Sequence, residues 1–125
     1  MAGTRKTKAI AEYGDFQTPA DLAIQVCALL ARQGERPAAI LEPTCGIGNF
    51  AFAAVDAFPA AQPVIGVEIK PNYVTVARER AANLQLSDCV QVLEGDFFTV
   101  AWPEVLSALP DPLLVIGNLP WVTNS

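Results

Sequence analysis

The strongest constraint on the fold is an alternation of two kinds of apolar segment. Short continuous apolar runs alternate with longer stretches whose apolar residues recur at helical spacing. Thr18-Pro19 opens the first helical stretch, where Thr18 offers a cap and Pro19 suits the first turn. Leu22, Val26, Leu29 and Leu30 then share one predicted face, up to Gly34. The run Ala38 to Leu41 ends at Glu42-Pro43 and reads as a buried strand. A glycine turn leads to a helix predicted over 49–58, a strand over 63–69, and a helix from Pro71 to Leu86 with Val74, Ala77, Ala81 and Leu84 on one face. Strands over 89–93 and 112–116 follow, with a short helix over 103–109 between them. One helix, three strand–helix units and a last strand imply an α/β fold: an open, mostly parallel sheet with helices on both faces.

The 125 residues suit one domain, and 52% apolar with 17% charged residues excludes a disordered chain. Residues 1–12 read as a flexible basic tail and 13–125 as the folded part. No run approaches the ~20 apolar residues of a membrane span, so no membrane association is expected. No apolar run follows the basic start, which argues against a secretory signal. Cys27, Cys45 and Cys89 are odd in number and widely spaced, as expected of reduced thiols in a cytoplasmic protein rather than a disulfide frame or zinc cluster. The absence of histidine excludes imidazole bases, Ser-His-Asp triads and His-ligated metal, and no metal site is expected. With 8 basic and 13 acidic side chains, a net −5, this chain does not hold nucleic acid by charge alone.

Ligands of parallel sheets sit at the carboxyl ends of the strands. Those ends read Glu42-Pro43, Glu68-Ile69, Glu94-Gly95-Asp96 and Gly117-Asn118, a polar rim after apolar strands. Gly46 to Ala51 fits G-x-G-x-x-A between a strand and a helix, and Glu68 lies 22 residues beyond Gly46. That pattern is also a dinucleotide fingerprint, and a turn that merely needs glycine is a further reading. Two acids turn the loop away from NAD. Glu42 repels a pyrophosphate and attracts a cationic amino group. Asp96, followed by Phe97-Phe98, is placed to accept from an adenine amine beside an aromatic ring. One carboxylate for an amine, one for a ribose and one for a base describe S-adenosylmethionine, although each acid alone also reads as a solvated loop residue.

The segment Gly117-Asn118-Leu119-Pro120-Trp121 points to a reaction. An exocyclic amine on a base is a poor nucleophile because its lone pair is spread into the ring. Two acceptors on its N–H groups pull it towards a tetrahedral shape. The Asn118 side-chain oxygen and the Leu119 carbonyl supply such acceptors, Pro120 keeps Leu119 extended, and Trp121 offers a stacking face. No strong base is required, because the amine attacks while neutral and sheds its proton afterwards. Alignment and fixed dipoles then carry the rate. A proline turn with a packing tryptophan is the bland alternative.

Taken in order, these segments resemble the N6-adenine DNA methyltransferases, S-adenosylmethionine-dependent enzymes of class I. Gly14 to Pro19, with Phe16, Gln17 and Thr18, resembles the family's motif at the methionine end of the cofactor. Glu42 to Phe50, with Thr44, Cys45, Gly46 and Gly48, resembles its cofactor loop. Glu68 and Ile69 match the ribose acid and its apolar neighbour, and Asp96 and Phe97 match the adenine-side pair. Asn118 to Trp121 resembles the catalytic Asn-Pro-Pro-aromatic motif, with Leu119 in place of the first proline. Asn-Leu-Pro-aromatic is also similar to the ribosomal RNA adenine dimethyltransferases, and the protein-glutamine methyltransferases share the family pattern. A non-catalytic S-adenosylmethionine-binding module is a further alternative.

The resemblance implies the first four strands of an incomplete Rossmann-like methyltransferase fold. The family's fold continues past the catalytic loop, so Ser125 is expected to be a truncation boundary and this piece inactive alone. DNA is the expected partner, through a region beyond this chain. The fourth strand is expected to pair with the remaining half of the domain, or with a second copy as a homodimer.

Overall fold

All four predicted strands and all four predicted helices form, among residues 17–120 described by the structure, a computed structural model. In chain order they are α1 (Ala20–Arg32), β1 (Ala39–Glu42), α2 (Asn49–Ala57), β2 (Val64–Glu68), α3 (Pro71–Asn83), β3 (Val90–Glu94), α4 (Trp102–Ser107) and β4 (Leu113–Val115). The strands make one sheet in the order β3-β2-β1-β4, every neighbouring pair parallel. Ile40 stands opposite both Val64 and Leu114, and Glu68 opposite Glu94. This register brings the carboxyl ends of the strands to one edge of the molecule.

Period-two alternation divides the strand residues between two cores. Ile40, Val64, Val90 and Val92 pack with Ala23 and Cys27 of α1, Phe50 and Ala54 of α2, and Val74 and Ala77 of α3. Leu41, Ile65 and Val67 point the other way, onto Val100, Trp102, Leu109 and Leu113. Helices cover both faces, but unequally: α1 to α3 contribute to the first core, while α4 and its flanking segments supply the second. Each fully buried branched side chain, such as Ile40 or Val67, contributes roughly 1.5–3 kcal/mol by leaving water.

Three local expectations are corrected. Thr18 does not cap α1. Pro19 itself holds the N-cap position, and no side-chain cap bond forms because proline has no side-chain acceptor. Leu22 and Leu29 do not face the core; they are 49% and 47% exposed. The buried residues of α1 are Ala23 and Cys27, whose small side chains admit the alanine-rich α2 at close range. Leu84 is also exposed, because α3 stops at Asn83. Gln85 takes a left-handed conformation (φ 59°), its N–H donates to Ala82 O at 3.0 Å, and the Leu86 N–H donates to Ala81 O at 2.8 Å. That closing turn carries Leu86, rather than Leu84, onto the core. The 1–12 tail, Gly14, Asp15, Phe16 and Trp121 lie outside the described residues.

Candidate active site

The loop after β1 is held from beneath by two acids. Glu42 is 3% exposed, and its Oε1 accepts the Ala51 N–H at 3.0 Å. Ala51 lies in the first turn of α2, whose N-cap residue is Gly48 (φ 94°). Glycine has no side chain with which to cap, and Glu42 supplies the acceptor from the strand. Burial pushes the Glu42 carboxyl well above the usual carboxylate range; the Ala51 N–H opposes this and the Glu68 charge adds to it. Glu68 accepts the Gly46 N–H on Oε1 at 2.8 Å and the Lys70 N–H on Oε2 at 2.9 Å. Gly46 itself has φ 55°, and a Cβ there would run into the Gln17 amide.

The rest of the loop is cross-braced. The Cys45 N–H donates to Val67 O at 2.8 Å, and its thiol packs over Gly66 of β2. Burial, with Glu42 and Glu68 nearby, pushes that thiol well above its ordinary range, so it stays protonated. The Gly48 N–H donates to Cys45 O at 2.8 Å. Asn49 donates through Nδ2 to Thr18 O at 2.8 Å and accepts from Arg80 Nη1 at 2.9 Å. The Arg80 guanidinium lies 4.4 Å from the centre of the Phe52 ring.

On the β3 side, Asp96 Oδ1 accepts the Phe98 N–H at 2.9 Å, which closes the turn after the strand. The Phe97 carbonyl accepts from Trp102 Nε1 at 2.8 Å, and the Phe97 ring lies 5.7 Å from the Trp102 ring. On the β4 side, the Ile116 N–H donates to Leu41 O at 3.0 Å. Gly117 follows with φ 146°, and a Cβ on it would come within 3.1 Å of Glu42 Cγ. The Thr44 hydroxyl donates to the backbone carbonyl of Asn118 at 2.8 Å.

These segments enclose a cleft of about 210 Å³ at the carboxyl ends of the strands. Of the residues singled out from the sequence, Gln17, Thr18, Glu42, Thr44, Cys45, Gly46, Glu68, Ile69, Asp96, Phe97, Asn118 and Pro120 line it. Gly48 and Leu119 do not: Gly48 shapes the turn into α2, and the Leu119 side chain is 45% exposed. Lys70 and Phe98 also line the cleft, Phe98 at 70% exposure. Two supporting side chains carry no signal in the sequence. Arg80 reaches Asn49 across 31 residues, and Trp102 reaches back to Phe97 from the start of α4, with no motif marking either. Among the described residues no helix is long and apolar enough to cross a membrane.

A methyltransferase-domain family profile matches residues 35–118, which span β1 through the Asn118 loop. The chain belongs to the methyltransferase domain family. This methyltransferase domain is 47% identical over 114 residues to the type II methyltransferase M.NspV of Nostoc sp., covering 91% of this chain and 24% of that protein. It is 33% identical over 111 residues to the type II methyltransferase M.XamI of Xanthomonas campestris pv. amaranthicola, covering 89% of this chain and 20% of that protein. The chain thus spans about a quarter or less of the length of these curated relatives. Among solved structures, an RNA methyltransferase from Salinibacter ruber in complex with S-adenosyl-L-homocysteine superposes with a TM-score of 0.51 at 23% identity, over 68% of this chain and 53% of that one. That likeness concerns the fold of the methyltransferase domain.

Proposed function

We propose that this domain binds S-adenosylmethionine and supports methyl transfer to the exocyclic N6 amine of adenine in DNA. The observation that carries the reading is the convergence of Glu42, Glu68, Asp96 and Asn118, one from each strand end, on one cleft. The donor set suits the cofactor. Glu68 keeps lone pairs beyond those used by Gly46 and Lys70, and these accept ribose hydroxyls. Asp96 would accept from the adenine amine, with Phe97 and Ile69 supplying apolar wall in the same cleft. Gly46, free of a Cβ, and the Glu42 carboxyl border the amino-acid end. When bound, S-adenosylmethionine supplies an electrophilic methyl on a sulfonium.

The chain's own residues then deal with the target amine. The Asn118 side-chain oxygen and the Leu119 carbonyl accept its two N–H groups and localise its lone pair. The Asn118 backbone carbonyl is held by Thr44, which leaves the side-chain oxygen for this task. Trp121, next in the sequence motif, is assigned the role of stacking on the base. Catalysis rests on alignment and on these fixed dipoles.

The similarity to type II methyltransferases favours DNA as substrate and a restriction–modification setting. Leu119, where the DNA enzymes usually carry proline, favours RNA adenine as the second reading. Calorimetric titration with S-adenosylmethionine, S-adenosylhomocysteine and NAD tests the cofactor. Methylation of adenine-containing DNA and RNA by the intact protein tests the acceptor. Binding of NAD alone, or methylation of neither nucleic acid, overturns the proposal.

A further inference from the structure

We propose that Thr44 is a positioning residue that ties the cofactor loop to the amine-accepting loop. The inference rests on the reading of Asn118 given above. The β1–β4 ladder ends where the Ile116 N–H reaches Leu41 O, and the two chains then part into separate loops. Beyond that point the Thr44 hydroxyl spans the gap, donating to Asn118 O at 2.8 Å between residues 74 apart in sequence.

Thr44 is only two residues from Gly46, whose N–H is taken by Glu68 at 2.8 Å. Cys45, between them, is fixed by its N–H to Val67 O. A short, braced peptide therefore runs from the ribose-side acid to the carbonyl of Asn118. Fixing that carbonyl fixes the plane of the Asn118–Leu119 peptide, and the two proposed acceptors, the Asn118 side chain and the Leu119 carbonyl, branch from the Cα atoms at its two ends. Gly117 has no side chain and lies against Glu42 Cγ, so nothing bulky intervenes. The hydroxyl donates to backbone and the Thr44 side chain is half-buried at the cleft wall. Its contribution is to geometry, and small misplacements of reacting groups cost rate far more than affinity.

The test is single-turnover methylation and S-adenosylhomocysteine titration on the intact protein, comparing Thr44→Val, Thr44→Ser and Asn118→Ala. Thr44→Val keeps the shape and removes the donor. Its rate should fall roughly ten- to a hundredfold, with cofactor affinity within about twofold of wild type. Thr44→Ser, which restores a hydroxyl, should recover most of the rate. Two results overturn the inference: wild-type turnover by Thr44→Val, or equal losses of rate and affinity in Thr44→Val that Thr44→Ser does not relieve. If Thr44→Val turns over normally while Asn118→Ala is dead, only the Thr44 inference fails. If Asn118→Ala turns over normally, the amine reading itself fails.

Discussion

Gly46 and Glu68, which the sequence presents as two separate cofactor contacts 22 residues apart, are bonded to one another: the Gly46 N–H donates to Glu68 Oε1 at 2.8 Å. Oε2 meanwhile accepts the Lys70 N–H. The acid is thus oriented before any ligand arrives, and it also holds the glycine loop against β2. Under the proposed function the cofactor contact and the scaffold share this one side chain, so substitutions at Glu68 should act on both.

Glu68→Ala removes a charge-assisted acceptor. It should weaken S-adenosylhomocysteine binding by ~1.5–3 kcal/mol, roughly ten- to a hundredfold, and lower the melting temperature because Gly46 and Lys70 lose their partner. Calorimetry paired with thermal unfolding reads both effects. An affinity equal to wild type would remove Glu68 from the cofactor site.

Asn118→Ala should behave differently. The Asn118 backbone carbonyl, and hence the bond from Thr44, survives the substitution, while the side-chain oxygen proposed to accept from the target amine is lost. Methyl transfer by the intact protein should fall by two orders of magnitude or about that, as for a lost preorganised dipole, with cofactor affinity nearly unchanged. Parallel titration and single-turnover assays decide between this outcome and a joint loss.

Glu42 makes stability depend on pH in a direction opposite to that of a salt-bridged acid. Its folded-state pKa is raised, chiefly by burial, so between the unfolded value and the folded value the native state holds the extra proton. Stability from this group is therefore fully present below the unfolded pKa and is lost as pH rises through the folded pKa. Glu42→Gln keeps an acceptor for the Ala51 N–H without a charge to desolvate. It should raise the melting temperature, and by more at pH 8 than at pH 5. A variant whose gain is equal at the two values would show that Glu42 does not titrate in this range.

Among the described strands β4 stands at the edge, with Val115 49% exposed and Leu113 and Leu114 half-buried. An apolar parallel strand with one unpaired side is a template for further pairing. The 125-residue chain should therefore self-associate. Val115→Lys should shift it towards monomer. Light scattering across a concentration series reads the association, and a strict monomer at high concentration would contradict it.

Element order and type were legible in the sequence because they rest on local rules: apolar periodicity, Pro71 opening α3, and Gly34 ending α1. The rim acids were legible as well, since a polar residue after a buried parallel strand has only the carboxyl edge to occupy. What local rules could not decide was which apolar side chains face inward. Leu22, Leu29 and Leu84 obey helical spacing, yet the close approach of α1 to α2 and the left-handed turn at Gln85 leave them outside, with Ala23, Cys27 and Leu86 packed on the core. Spacing in sequence likewise carries no record of bonds between distant loops. The Arg80 brace on Asn49 and the Thr44 bond to Asn118 join residues 31 and 74 apart, on segments that the parallel sheet brings side by side. Only the assembled tertiary structure sets that neighbourhood, because the two partners of each bond follow different strands.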